Sequence, residues 1–241
     1  MLTEKNIMIT ISLDETHHIK DTKPLYSTRY SRVMSFHNGI APVELNNESF
    51  FIDLNNKKLF NRIFIKAYGF YENLSAVKDE GGWFHIDLNG NDLYKERYSW
   101  VGNFSEERSV VRDFNNKYFH INYNGKKVYQ QYYNYTGDFK YGIAVCINED
   151  GKSTHIDNNG KILHGKYFDE LNIFHKGYAI AKDINGYFHI DKNGLELYSD
   201  RYMKIEDFYN GCALATTFEN NKIVLNEENF TKLQLTKQAN R

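Results

Sequence analysis

The chain has 241 residues, 41% of them hydrophobic and 25% charged, with a formal net charge of -1. That composition supports a packed interior and lacks the basic surplus of most nucleic-acid binders. No run approaches the ~18 apolar residues of a membrane helix, and the first twenty residues lack a signal-peptide pattern, so a cytoplasmic protein with neither a nucleic-acid nor a membrane partner is expected.

In chain order, residues 1–28 come first. Ile7-Met8-Ile9-Thr10-Ile11-Ser12-Leu13, His17-His18-Ile19 and Leu25-Tyr26 read as a degenerate copy of the downstream repeats, as a terminal cap of a repeat array should. From 29 to 231 the same two phrases recur six times. The first is Phe36-x-x-Gly39-x-Ala41-x-Val43, with relatives starting at Phe70, Phe104, Phe139, Phe174 and Phe208, at steps of 34 or 35 residues. Small or apolar residues at alternate positions predict a strand with one packed face. Both cysteines, Cys146 and Cys212, fall in this strand and read as small buried residues rather than a disulfide or redox pair.

The second phrase comes seventeen or eighteen residues later, as Phe51-Ile52-Asp53, His85-Ile86-Asp87, His120-Ile121-Asn122, His155-Ile156-Asp157, His189-Ile190-Asp191 and a worn Val224-Leu225-Asn226. Trp83-Phe84-His85-Ile86-Asp87 predicts a second strand, with Phe84 and Ile86 on one face and His85 and Asp87 on the other. It runs into Asn89-Gly90, repeated as Asn124-Gly125, Asn159-Gly160 and Asn193-Gly194. This pair signals a tight hairpin whose two central residues both tolerate positive φ. A short return segment and an aromatic, Tyr30, Phe64, Tyr98, Tyr133, Phe168 or Tyr202, complete three or four strands per copy. Residues 232–241 form a polar tail.

These elements predict an all-β fold: tandem repeats of about 34 residues, stacked in an open, twisted array. A closed β-propeller is the alternative, although propeller blades usually run to about 40 residues or more. A unit this short cannot bury a core alone, since independent folding usually fails below roughly 40 residues, so stability must come from stacking.

The phrase Phe-x-x-Gly-x-Ala-x-Val followed by Gly82-Trp83-Phe84-His85-Ile86-Asp87-x-Asn-Gly resembles the bacterial WG-containing repeat. The naming Trp and Gly stand in reversed order at Gly82-Trp83, and Tyr118, Thr154 or Phe188 replaces the Trp elsewhere. The resemblance spans about residues 25 to 230. It implies an all-β repeat module and brings no shared catalytic residue or cofactor. Arrays of this His-Ile-Asp type also look similar to segments beside methyltransferase-like domains, which implies a weaker reading as an accessory module acting in trans. The glycine-rich motif for S-adenosylmethionine is missing, so no such activity carries over.

Three constellations compete for a function. His85, His120, His155 and His189 share one register position and form a ladder in a stacked array. Metal binding and pH sensing are alternatives, but the favoured reading is structural: each Asp or Asn two residues on caps its turn, and each histidine bonds a neighbouring copy. Glu106-Glu107, Glu227-Glu228 and Asp92 offer carboxylates, but no catalytic spacing accompanies them, so no enzyme is expected; a cleft holding His164, His175 and a carboxylate would reverse that.

The third constellation uses the repeats as their own comparison. Positions alike between copies hold the scaffold, and positions that vary in register are free to face a partner. Two residues after the recurring aromatic stand Arg32, Lys66, Trp100, Tyr135, Glu170 and Lys204. Trp and Tyr are enriched at binding hot spots, which makes this register, with Trp83 beside it, the candidate partner-binding surface. Such a surface suits a protein partner first and a carbohydrate or cell-wall polymer second.

Overall fold

The computed structural model describes residues 9–230; the tail 232–241 and residues 7 and 8 of the first copy lie outside the described residues. The chain divides into two compact units, one of residues 1–116 with 120–127 and one of residues 117–119 with 128–241.

Both units are all β. The first holds the sheets Ile9–Ile11, His18–Lys20 and Lys23–Pro24; Arg32–Val33, Ile40–Leu45, Glu48–Asp53 and Lys58–Phe64; and Lys66–Ala67, Ser75–Asp79 and Gly82–Ile86, followed by the hairpin Trp100–Ser105 and Arg108–Arg112. The second holds Tyr135–Thr136, Ile143–Ile147 and Ser153–Asp157; Glu170–Leu171, Ala179–Asp183 and Gly186–Ile190; and Lys204–Ile205, Cys212–Thr216 and Lys222–Asn226. The strand Tyr118–Ile121 is divided between the units. A short helical turn covers residues 227–230. Among the described residues every paired strand is antiparallel, each sheet is small and separate, and none closes into a barrel.

Each regular sheet has a short front strand, a middle strand from the first phrase and a rear strand from the second. Successive sheets within a unit are tied by single bridges, Trp83 to Tyr98 in the first and Ser153 to Phe168 and Tyr187 to Tyr202 in the second. The bridging aromatics Tyr98, Phe168 and Tyr202 are buried, which explains why that position recurs.

The expected one-sided strand is corrected by stacking. Phe84, His85 and Ile86 are all buried, as are Ala76 and Val77 opposite them, so both faces of the sheet are covered. The small residues of the middle strand are therefore a fit to neighbours on both sides.

The turns also differ from the expectation. After the rear strand only Gly90 has positive φ; its N–H donates to the Asp87 carbonyl and the Asp87 N–H to that of Asn91, giving a three-residue loop with a left-handed last residue. The two-residue hairpin with positive φ at both centres lies instead in the Phe-x-x-Gly phrase, at Asn38-Gly39, Glu72-Asn73, Glu106-Glu107, Tyr141-Gly142, Lys176-Gly177 and Asn210-Gly211. Glu106-Glu107, weighed in the sequence as an acid/base pair, is one of these turns.

Gly90 is fixed twice over. Besides its φ of 79°, a Cβ there would stand 2.6 Å from the Phe60 ring of the preceding copy. Gly125 meets Tyr94, Gly160 meets Tyr129 and Gly194 meets His164 in the same way.

Two further expectations change. Cys146 is buried as anticipated, but Cys212 is exposed. Strand register places Trp83 level with Tyr118, Ser153 and Tyr187; Thr154 and Phe188 align with Phe84 instead. Among the described residues no helix is long and apolar enough to cross a membrane.

Candidate recognition grooves

The histidine ladder is a set of staples. His85 Nδ1 lies 2.6 Å from the Tyr94 hydroxyl of its own copy and Nε2 lies 2.8 Å from the Gly102 carbonyl of the next. His18 does the same with Tyr26 and Met34, His189 with Tyr198 and Glu206, and His155 with His164 and Asn172. A carbonyl can only accept, so Nε2 carries the proton and Nδ1 accepts from the tyrosine. Burial holds His85, His155 and His189 down at about 4, against the opposing pull of the carbonyl bond, and so keeps them neutral. Burial likewise raises Tyr94 and Tyr198 well above the ordinary phenol range.

The carboxylates of this register cap turns. Asp87 Oδ1 accepts from the N–H groups of Asn89 and Asn91 at 2.9 and 2.8 Å, and Asp53, Asp157 and Asp191 repeat the pattern. Asp92 pairs with Arg62 and Arg97. Glu227 accepts from Tyr178, and His164 is held against His155. No three His, Cys, Asp or Glu among the described residues are grouped to hold a metal.

The variable register opens each front strand. Arg32, Lys66, Trp100, Tyr135, Glu170 and Lys204 are all exposed, Trp100 at 39% and Tyr135 at 46%. Arg32 lies 3.6 Å from Glu15, and Lys66 reaches both carboxylate oxygens of Glu44 at 2.8 and 3.0 Å. Glu170 accepts from Lys182 and Tyr187, which lowers its pKa. Tyr135 leans on Tyr118. Trp83 is half-buried and stacks on exposed Tyr68, with ring centroids 5.3 Å apart and planes 8° from parallel.

The two aromatic members of the register share a device. Where Trp100 and Tyr135 stand, the residue two places on is Gly102 or Gly137; where a charge stands, it is Met34, Tyr68, Asn172 or Glu206. A Cβ on Gly102 would lie 3.1 Å from the far edge of the Trp100 indole. The ring therefore lies along its own strand over the glycine.

These strands border three grooves. In the first unit one of about 130 Å³ is lined by Arg32, Glu44, Lys66 and Tyr68 among others, and one of about 500 Å³ by Tyr68, Tyr71, Trp100, His37 and Asn103 among others. In the second unit a groove of about 570 Å³ is lined by Glu170, Asn172, Tyr187, Met203 and Lys204 with two isoleucines. Sequence reasoning missed Tyr68, Tyr71, His37 and Met203. The position of Tyr68 varies between copies as freely as that of Lys66, so the same comparison carried one strand period further finds it.

Residues 23–48 and 50–83 match the family model of the WG containing repeat. These two segments are WG-containing repeats. The matched segments lie in the first unit, and the later copies continue the same register of strands and staples. No curated protein matches the sequence. Among solved structures, the computationally designed Ika8 protein is 14% identical, with a TM-score of 0.46 over 92% of this chain and 81% of that one. BamB from Moraxella catarrhalis is 9% identical at 0.45, over 93% and 83%. Hsv2p from Kluyveromyces lactis is 11% identical at 0.44, over 81% and 74%.

Proposed function

We propose that this protein is a non-catalytic recognition module that binds a protein partner through its front-strand register. The observation that carries the reading is the division of labour between neighbouring positions. The residues that recur, such as Tyr98, His85 and Ile86, are buried, whereas Arg32, Lys66, Trp100, Tyr135, Glu170 and Lys204 vary and are exposed. Large rigid side chains displayed at such positions give contact area at little entropic cost. The Trp100 indole lying along its strand also favours a second reading, carbohydrate stacking on aromatic faces.

Affinity capture from the native lysate tests the choice. The wild-type chain should retain a protein that a Trp100→Ala/Tyr135→Ala double variant of equal melting temperature loses. Retention of the same proteins by both would remove this surface from consideration.

A further inference from the structure

The groove of about 500 Å³ in the first unit differs from the other two in charge. Its walls are Tyr68, Tyr71 and Trp100 with Met34, Phe70 and other uncharged residues, and no Asp, Glu, Lys or Arg lines it. The groove beside it carries Arg32, Glu44 and Lys66, and the one in the second unit carries Glu170 and Lys204. At the same register position one groove has therefore exchanged charge for an indole.

Its polar side chains are all neutral. The hydroxyls of Tyr68 and Tyr71, the ring of His37 and the amide of Asn103 make no hydrogen bond within the described residues, and all four side chains are exposed. They bring at least four donors, together with neutral acceptors of their own, to an apolar trough without charge. A neutral sugar, which needs both donors and acceptors, is the competing occupant that the test separates. A proline-rich chain presents carbonyls that only accept, no N–H at its prolines, and flat apolar rings to match the aromatic walls.

Resting on the recognition reading above, we propose that this groove binds a proline-rich segment of the partner in the polyproline II conformation. Proline rings seat against Trp100, Tyr68 and Tyr71, while the phenol, imidazole and amide donors take the peptide carbonyls. Such a helix repeats every three residues with no internal hydrogen bonds, so its carbonyls are free and its ordering cost is already met; the trough has room for about one turn. The lack of charge in the walls makes the binding weakly dependent on salt.

The test uses intrinsic fluorescence. The chain has two tryptophans, Trp83 and Trp100, and Trp83→Tyr puts at that position the residue that Tyr118 and Tyr187 already supply in register. In that background, titration with unlabelled decaproline and with Pro-Pro-Xaa peptides should shift Trp100 emission and saturate. Binding, followed by calorimetry in the variants, should fall at least tenfold in Trp100→Lys and in Tyr68→Asn, side chains that Lys66 and Asn172 show the register accepts. It should be unchanged in Lys192→Ala, an exposed turn residue of the other unit, and should vary less than twofold between 50 and 500 mM salt.

Peptides that bind these variants as well as the parent would overturn the proposal. So would saturable binding of neutral oligosaccharides with no response to any proline peptide. If no peptide binds while a captured protein is still lost on Trp100→Lys, the polyproline inference fails and protein recognition stands. If captured proteins ignore both substitutions, both fail.

Discussion

The Ser75 hydroxyl donates a 2.8 Å hydrogen bond to the carbonyl oxygen of Tyr68, the position that a histidine from the preceding copy serves elsewhere. The preceding copy has Phe51 where that histidine stands, and its return segment has Phe60 where the others have tyrosine or histidine. Loss of the histidine is thus matched by removal of its hydroxyl partner, and the serine, repeated at Ser109, remains as the carbonyl's donor.

Ser75→Ala should therefore be more damaging than Ser109→Ala. Both serines are buried, but the Gly102 carbonyl that Ser109 reaches also has His85. Losing the serine donor to this part-buried carbonyl costs up to about 1–3 kcal/mol, and losing one of two donors costs about 0.5–1.5. Urea denaturation of the two variants checks the ranking, and equal losses would refute it.

Phe51→His and Phe60→Tyr should be coupled. Each alone buries or half-buries a polar group without its mate, at about 1–3 kcal/mol. Together they rebuild the staple seen at His85 and Tyr94, so the double variant should be more stable than additivity allows, by about 1–2 kcal/mol. A double-mutant cycle by chemical denaturation measures that term, and strict additivity would count against the pairing.

Acid should weaken the fold before the carboxylates titrate. His85, His155 and His189 are held at about 4 in the native state by burial, against 6.5 for an unperturbed imidazole. Above pH 6.5 both states are neutral and the histidines contribute no pH dependence. Between 6.5 and about 4 the unfolded chain takes up protons that the native chain refuses, so stability falls with pH by about 1.4 kcal/mol per unit for each histidine. Replacing His85 and Tyr94 together with phenylalanine, as at Phe51 and Phe60, should reduce that slope by one proton. Melts from pH 7 to 4 test it, and an unchanged slope would show that His85 does not titrate this way.

Gly160→Ala and Gly151→Ala separate backbone strain from crowding. Their φ values are 75° and 76°, but a Cβ at Gly160 would collide with the Tyr129 ring whereas nothing lies within 4 Å of one at Gly151. Both lose about 1–2 kcal/mol to the left-handed conformation, and Gly160→Ala a further 1–3 or so to overpacking. Thermal unfolding of the pair tells whether the ring fixes this glycine.

At Glu72-Asn73, φ is 47° and 65°. Replacing the pair with Asn-Gly, as at Asn38-Gly39, should stabilise the hairpin by about 0.5–1 kcal/mol, because both residues then adopt positive φ with less strain. A raised melting temperature is the expected result, and a lowered one would argue against the turn geometry.

The repeat period, the all-β class, the Asp and Asn caps and the exposed register from Arg32 to Lys204 were legible in the chain, because each depends on residues within one copy. Alternation, turn chemistry and comparison between copies all work at that range. Burial of both faces around His85 depends on the next copy, and so do the Gly102 carbonyl that His85 reaches and the ring that forbids a side chain at Gly90. Glu72-Asn73 and Glu106-Glu107 carry no obvious signature of the turn they adopt, since the strands they join impose it. The uncharged trough exists only where Met34, Tyr68 and Trp100, from three successive copies, are brought to one wall. Local hydrogen bonding writes itself into a short phrase, whereas packing between copies belongs to pairs of phrases and appears only when they are stacked.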